Sequence, residues 1–128
     1  MLPEKILIID DEQLIRSTTS LLLKKVGVEA LCACTGEEGL QMAAKEKPQL
    51  ILLDLMMPGM DGWEVLARLK GDADLAAIPV LLFTAVDFMA SERAAREKGA
   101  NGVLRKPFHL HQLRAAIGIE HSGGEDHA

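Results

Sequence analysis

The feature that most limits the fold of this chain is a succession of five short apolar runs, each of strand length. They are KILIID (5–10), VEALCAC (28–34), LILLD (50–54), VLLFT (80–84) and GVLRK (102–106). The first, third and fourth runs are apolar throughout rather than alternating, which indicates strands buried on both faces. Segments with helical periodicity follow the strands. The pattern predicts an α/β fold, with five helices covering both faces of a doubly wound, five-stranded parallel sheet.

The intervening segments carry apolar residues at the spacing of amphipathic helices. The predicted inward residues are Leu14, Ile15, Thr18, Leu21, Leu22 and Val26, then Leu40, Ala43 and Ala44, then Val65, Leu66 and Leu69, and finally Leu110, Leu113 and Ile117. An Ala-rich segment, SERAAREKG, supplies the fourth helix. Thr35 and Asp61 each precede a glutamate by three residues, the spacing of a capping box. Gly27, Gly71 and Gly99 stand where helices should end.

Length and composition restrict the class of protein. The 128 residues fit one domain that can fold without disulfides or a structural metal. A net charge of −5, with no block of basic residues, argues against direct binding of nucleic acid by this domain. No apolar run is long enough to span a membrane and no signal peptide is evident, so we expect a cytoplasmic protein. Cys32 and Cys34 share one strand face in this interpretation and are expected to be two buried thiols.

Polar residues end four of the predicted strands. Asp10 and Asp11 follow strand one, Asp54 ends strand three, Thr84 ends strand four and Lys106 ends strand five. In an open parallel sheet these ends lie on one edge, where ligands bind, and in the order 2-1-3-4-5 strands one and three are neighbours. The three carboxylates would repel one another unless a cation lay between them. An oxygen-only set of this kind suits Mg²⁺, which also implies a phosphate group.

The same residues occur in a recognisable order of motifs: the acidic pair, LLDLMMPGMDG from Leu52 to Gly62, TA after strand four and KPF after strand five. In these motifs the chain resembles the receiver domain of two-component response regulators, from about Lys5 to Ile119. The resemblance implies a flavodoxin-like fold with a receiver domain over residues 1–119. Residues 120–128 are polar and glycine-rich and are expected to form a disordered tail.

The resemblance also implies a role for each motif residue. Asp54 corresponds to the phosphoacceptor, Thr84 to the hydroxyl that contacts the phosphoryl group and Lys106 to the ammonium that contacts it. The implied Mg²⁺ ligands are Asp11, Asp54 and the backbone carbonyl of Met56, with Asp10 acting through a metal-bound water. The bond before Pro107 is implied to be cis. Such chemistry is coherent, because phosphoryl transfer needs in-line positioning and compensation of oxygen charge.

The predicted function is a phosphorylation-dependent switch that receives its phosphoryl group from a sensor histidine kinase or a histidine phosphotransfer protein. On this interpretation the chain is not an enzyme in the usual sense, because it catalyses only its own phosphorylation and slow dephosphorylation. Two alternatives are a degenerate receiver that only binds, and an aspartate-nucleophile phosphatase. The phosphatase alternative is weakened by Met56, since such enzymes carry an acid two residues after the nucleophile.

Two further expectations concern activation and assembly. Val103 occupies the position, three before Lys106, where receivers usually carry an aromatic switch residue, and valine has no ring to rotate. Receivers often pair through the face formed by the fourth helix, fifth strand and fifth helix, so a homodimer through that face is a candidate assembly.

Overall fold

The computed structural model describes residues 3–84, 91–106 and 108–122. The elements in chain order are β1 (Lys5–Ile9), α1 (Gln13–Lys25), β2 (Glu29–Ala33), α2 (Gly36–Glu46), β3 (Leu50–Asp54), α3 (Gly62–Gly71), β4 (Val80–Thr84), α4 (Ser91–Glu97), β5 (Gly102–Arg105) and α5 (Leu110–Ser122). The five strands form one parallel sheet in the order β2-β1-β3-β4-β5. Both the α/β class and the strand order predicted from the sequence are confirmed.

Successive residues of the central strands supply two separate cores, because side chains alternate between the faces of a sheet. Leu7, Ile51 and Leu82 pack on the face covered by α2, α3 and α4. Ile6, Leu52 and Leu81 pack on the other face, with Leu23 of α1 and Leu113 of α5. Every residue of β3 and β4 is buried, which is why their sequences are apolar without alternation.

The predicted caps set two helix starts. The Thr35 hydroxyl accepts a hydrogen bond from the Glu38 N–H at 3.0 Å, and the Asp61 carboxylate accepts one from the Glu64 N–H at 3.0 Å. Gly27 and Gly99 follow α1 and α4 with φ of 81° and 106°, a backbone conformation that glycine adopts without steric cost. Gly71 is the last residue of α3.

The prediction for α1 is only partly correct: Ile15, Leu22 and Val26 pack against the core as expected, but other predicted side chains do not. Leu14 and Leu21, both expected to face the core, are 76% and 56% exposed. The buried positions of this helix are Thr19 and Leu23. The helix carries leucine at 21, 22 and 23, and one side of a helix cannot bury all three, so the orientation against the sheet decides between two adjoining apolar stripes.

Other departures are local. β2 ends at Ala33, so Cys34 lies outside the strand and is exposed, while Cys32 is half-buried and its thiol lies 3.2 Å from the Ser20 hydroxyl. The expectation of two buried thiols is therefore wrong.

Ala44, predicted to face inward from α2, is exposed. Helix α5 continues to Ser122, three residues beyond the predicted domain boundary, and residues 123–128 of the predicted tail lie outside the described residues. In the part of the chain that is described, every helix is too short or too polar to cross a lipid bilayer.

Candidate functional site

Four predicted residues converge at the carboxyl edge of the sheet. Asp54 and Thr84 are the last residues of β3 and β4, and Asp10 and Lys106 directly follow β1 and β5. Parallel pairing holds these strand ends side by side: the Asp10 N–H donates to the Ala33 carbonyl at 3.1 Å, and the Lys106 N–H donates to the Thr84 carbonyl at 2.7 Å. The sheet thus brings together residues that are up to 96 positions apart in the chain.

The charged groups of this site are almost completely removed from water. Asp10 and Asp54 are 0% and 2% exposed, and Lys106 is 9% exposed. The Lys106 ammonium lies 2.7 Å from Asp10 Oδ2 and 3.6 Å from Asp54 Oδ1. A lysine in this position offsets the desolvation of two carboxylates, which alone would be strongly unfavourable. Since there are two carboxylates and one ammonium, one negative charge remains in excess among these three side chains.

The surroundings of Asp54 raise its pKa. Burial raises its pKa, the neighbouring Asp10 carboxylate raises it further, and Lys106 together with the Met56 N–H opposes both effects, so that the pKa is about 6. The N–H of Met56 donates to Asp54 Oδ1 at 3.2 Å. The carboxylate of Asp54 is therefore mostly ionised at neutral pH but poorly stabilised. A positive charge placed next to such a carboxylate stabilises its ionised form.

Asp10 is fixed by the chain that follows it. Its Oδ1 accepts a hydrogen bond from the Glu12 N–H at 2.8 Å, and its backbone carbonyl accepts one from the Arg16 guanidinium at 2.8 Å. Glu12 is the N-cap of α1, yet its side chain makes no capping hydrogen bond. A carboxylate oxygen of Glu12 instead lies within 4.8 Å of carboxylate oxygens of Asp10 and Asp54.

This trio of carboxylates fits a divalent cation. Asp10, Glu12 and Asp54 offer oxygen atoms only, at mutual distances that one ion can bridge. Burial first, and then the neighbouring Asp10 carboxylate, raise the pKa of Asp54, so a cation here would stabilise its ionised form. Hard oxygen donors of this kind prefer Mg²⁺ or a similar ion over softer metals. The donor set therefore agrees with the class of metal predicted from the sequence.

The remaining predicted residues have different settings. Asp11 is exposed, but its negative charge also raises the pKa of Asp54. The side chain of Met56 is 64% exposed. Thr84 is completely buried beside the strand end of Lys106. Pro107, with its predicted cis bond, lies outside the described residues.

The start of α3, after the loop that follows Asp54, lies in close contact with the end of β3. The Gly62 N–H donates to the Leu55 carbonyl at 3.1 Å. A Cβ atom on Gly62 would lie 2.4 Å from the carbonyl oxygen of Asp54 and 2.6 Å from the Cα of Leu55. Only glycine allows this approach, so Gly62 lets the start of α3 lie against the backbone of Asp54 and Leu55.

Sequence reasoning missed two contributors to the site. The sequence motifs assign no role to Glu12, and its position directly after the acidic pair is the signal that could have indicated one. Phe83 was assigned only to a strand, but its ring lies beneath the Lys106 ammonium, 4.5 Å from nitrogen to ring centroid. No spacing rule could reveal that contact, because it joins two adjacent strands.

Comparison with known proteins identifies the family. Residues 6–118 match the family described as the response regulator receiver domain. Sporulation initiation phosphotransferase F of Bacillus subtilis is 37% identical, over 91% of this chain and 93% of that protein. The probable transcriptional regulator ycf27 of Porphyridium aerugineum is 38% identical, over 91% of this chain and 48% of that protein.

Solved structures agree with this assignment. A putative response regulator from Chloroflexus aurantiacus superposes with a TM-score of 0.88 at 31% identity, over 94% of this chain and 98% of that one. Chemotaxis protein CheY4 of Vibrio cholerae gives a TM-score of 0.86 at 29% identity, over 91% and 98% of the two chains. The chain spans about half the length of the ycf27 proteins that it matches. From its fold and from these matches, the chain belongs to the family of response regulator receiver domains.

Proposed function

We propose that this receiver domain accepts a phosphoryl group on Asp54 and acts as a phosphorylation-dependent switch, with a phosphohistidine of a sensor kinase or phosphotransfer protein as donor. The observation that supports this most strongly is the placement of Asp54, Thr84 and Lys106 at adjacent strand ends. Such an arrangement would supply a nucleophile, a hydroxyl donor and a cation to one phosphoryl group. Phosphoryl transfer requires this combination.

The proposed step is a displacement at phosphorus. An Asp54 carboxylate oxygen forms the new O–P bond, the P–N bond to the donor imidazole breaks, and its electron pair stays on the imidazole nitrogen, which takes a proton from water. Lys106 lies 3.6 Å from Asp54 Oδ1 and would stabilise negative charge on a phosphoryl oxygen. Thr84 would donate its hydroxyl to another. Mg²⁺, held by Asp10, Asp11, Asp54 and the Met56 carbonyl, would supply the remaining positive charge; Glu12 is a further candidate ligand.

Burial of Asp54 serves the same chemistry. A carboxylate that is 2% exposed carries little hydration to remove before it attacks. With a pKa of about 6, most of the group is ionised at pH 7 and available as a nucleophile.

The relatives support a role in signalling without fixing the output. The name of the Bacillus subtilis relative describes a phosphotransferase, and those of the longer relatives describe transcriptional regulators. For this chain we propose a cytoplasmic setting and a partner that presents phosphohistidine, with no direct binding of nucleic acid by this domain. Pairing of two copies through α4, β5 and α5 stays a prediction, which sedimentation velocity with and without a phosphoryl mimic would test.

The test of the proposed function is the intact mass after incubation with acetyl phosphate and Mg²⁺. We expect the wild type to gain one phosphoryl group, and expect no gain in Asp54→Asn or with a chelator. Asp61→Asn is the matched control, because Asp61 is an exposed aspartate that caps α3 and asparagine also caps helices. A folded wild type that binds Mg²⁺ but gains no mass would contradict the proposal and favour a receiver that only binds.

A further inference from the structure

Lys106 has an aromatic neighbour that the motif pattern does not assign. Phe83, the residue before Thr84 in β4, is completely buried, and its ring faces the Lys106 ammonium at 4.5 Å from the centroid. Phe108, two residues beyond Lys106, packs against the same ring with the centroids 6.3 Å apart and the planes tilted by 49°. The ammonium thus lies between two carboxylates and an aromatic face.

This contact has the geometry of a cation–π interaction. A lysine ammonium within about 6 Å of a ring centroid is attracted by the negative face of the ring, and the attraction is strongest when water is excluded. Here the lysine side chain is 9% exposed and the ring 0%, so the contact is desolvated. Its effect should therefore be near the upper end of the range for such pairs.

The two acids attract the Lys106 ammonium unequally, and the ring adds an attraction that favours neither acid. The ammonium lies 2.7 Å from Asp10 and 3.6 Å from Asp54, so Asp10 attracts it more strongly. For the proposed reaction Lys106 must approach an oxygen of a group attached to Asp54. Hydrogen bonds are strongly directional, whereas a ring face attracts a cation over a broad area. A cation above Phe83 can therefore shift toward Asp54 without losing this contact.

We infer that Phe83 is a positioning residue for phosphoryl transfer: its ring holds the Lys106 ammonium where it can reach the phosphoryl oxygen on Asp54. This inference rests on the proposed function. It also gives this site an aromatic residue, although the position that is usually aromatic in receivers is Val103 here. Val103 is half-buried in β5 and packs on the opposite face of the sheet from Phe83.

The test weakens the ring's negative face without changing its shape. Phe83 is replaced, by site-specific incorporation, with 4-fluoro-, 3,5-difluoro- and 3,4,5-trifluorophenylalanine. The pseudo-first-order rate of phosphorylation by acetyl phosphate is measured with Mg²⁺. We expect the rate to fall stepwise with each fluorine, by about threefold to tenfold across the series. The same series at Phe108, which packs on Phe83, is the matched control and should leave the rate nearly constant.

A second measurement does not depend on phosphorylation. A cation above a ring places the lysine ε-methylene protons in the shielding region of that ring. We expect NMR of the wild type to show these Lys106 protons shifted upfield, with assignment by their loss in Lys106→Ala, and expect the shift to disappear in Phe83→Leu.

The outcomes separate the two claims. If the wild type is phosphorylated but the Phe83 series is flat, or if both series slow the reaction equally, the inference about Phe83 is wrong while the proposed function stands. If the wild type gains no phosphoryl group, the proposed function fails. An unshifted Lys106 signal in the wild type would overturn the positioning role in either case.

Discussion

Asp54 shows at the scale of one residue how a buried charge opposes stability. Its carboxylate is buried beside Asp10, and the Lys106 ammonium offsets only part of the resulting cost. The raised pKa, about 6 against an ordinary value of 3.8, expresses that cost directly. Residues that must ionise in a buried site for chemistry commonly reduce the stability of the fold.

The first prediction follows from the sign of this shift. Because the pKa of Asp54 is raised in the folded state, this residue binds more protons when folded than when unfolded between about pH 4 and 6. Its contribution to wild-type stability therefore falls as pH rises through that range and stays reduced above it. Asp54→Asn removes the penalty. We expect the variant to be more stable than wild type by about 1 to 3 kcal/mol at pH 7, with the gain shrinking toward pH 4. Urea unfolding in buffer with chelator measures this difference.

Asp61→Asn serves as the control, since it makes the same chemical change at an exposed helix cap. Its stability difference from wild type should vary little over the same pH range. A gain in Asp54→Asn that did not change between pH 4 and 7 would contradict the assigned cause.

At the scale of elements, helix α3 is placed by its first residue. Gly62 contacts the backbone of Asp54 and Leu55 so closely that a single methyl group has no space. The other side of the helix anchors it through Val65, Leu66 and Leu69, all completely buried. The position of the loop between Asp54 and Gly62 therefore depends on close backbone packing as well as on burial of apolar side chains.

The second prediction concerns that packing. Gly62→Ala should destabilise the protein by about 3 kcal/mol, the upper end for overpacking, because the new Cβ meets backbone atoms that cannot rotate away. Gly71→Ala, in the last position of the same helix, adds its Cβ where nothing lies within 4 Å. That variant should be neutral or slightly more stable. Chemical unfolding of both variants compares them, and equal effects would refute the role given to Gly62.

At the scale of the whole molecule, the sheet gathers the carboxylates of separate segments at one edge, where a cation would bind the folded state alone. Asp10 directly follows β1 and Asp54 ends β3, and these strands are neighbours only because the chain crosses over between them. A ligand that binds the native state and not the unfolded chain raises stability in proportion to the logarithm of its concentration.

The third prediction is a rise in Tm with Mg²⁺. Once the site is near saturation, each tenfold increase in Mg²⁺ should add about 1.4 kcal/mol to wild-type stability. The rise should be lost in Asp54→Ala and retained in Glu37→Gln, which removes an exposed negative charge from α2. Comparing Asp11→Asn with Glu12→Gln then identifies the ligand. A loss of Mg²⁺ response only in Asp11→Asn supports the predicted role of Asp11, whereas a loss only in Glu12→Gln assigns that role to Glu12.

The sequence by itself determined the order of strands and helices, two helix caps and the four strand-end residues that meet at the edge. These depend on local periodicity, capping spacing and the rule that parallel strands end together. Only the tertiary structure decided which stripe of α1 is buried, exposing Leu14 and Leu21. It alone placed Glu12 beside Asp54 and the ring of Phe83 beneath Lys106. Such contacts join residues distant in the chain, and their geometry depends on how whole elements pack, which local sequence patterns do not encode.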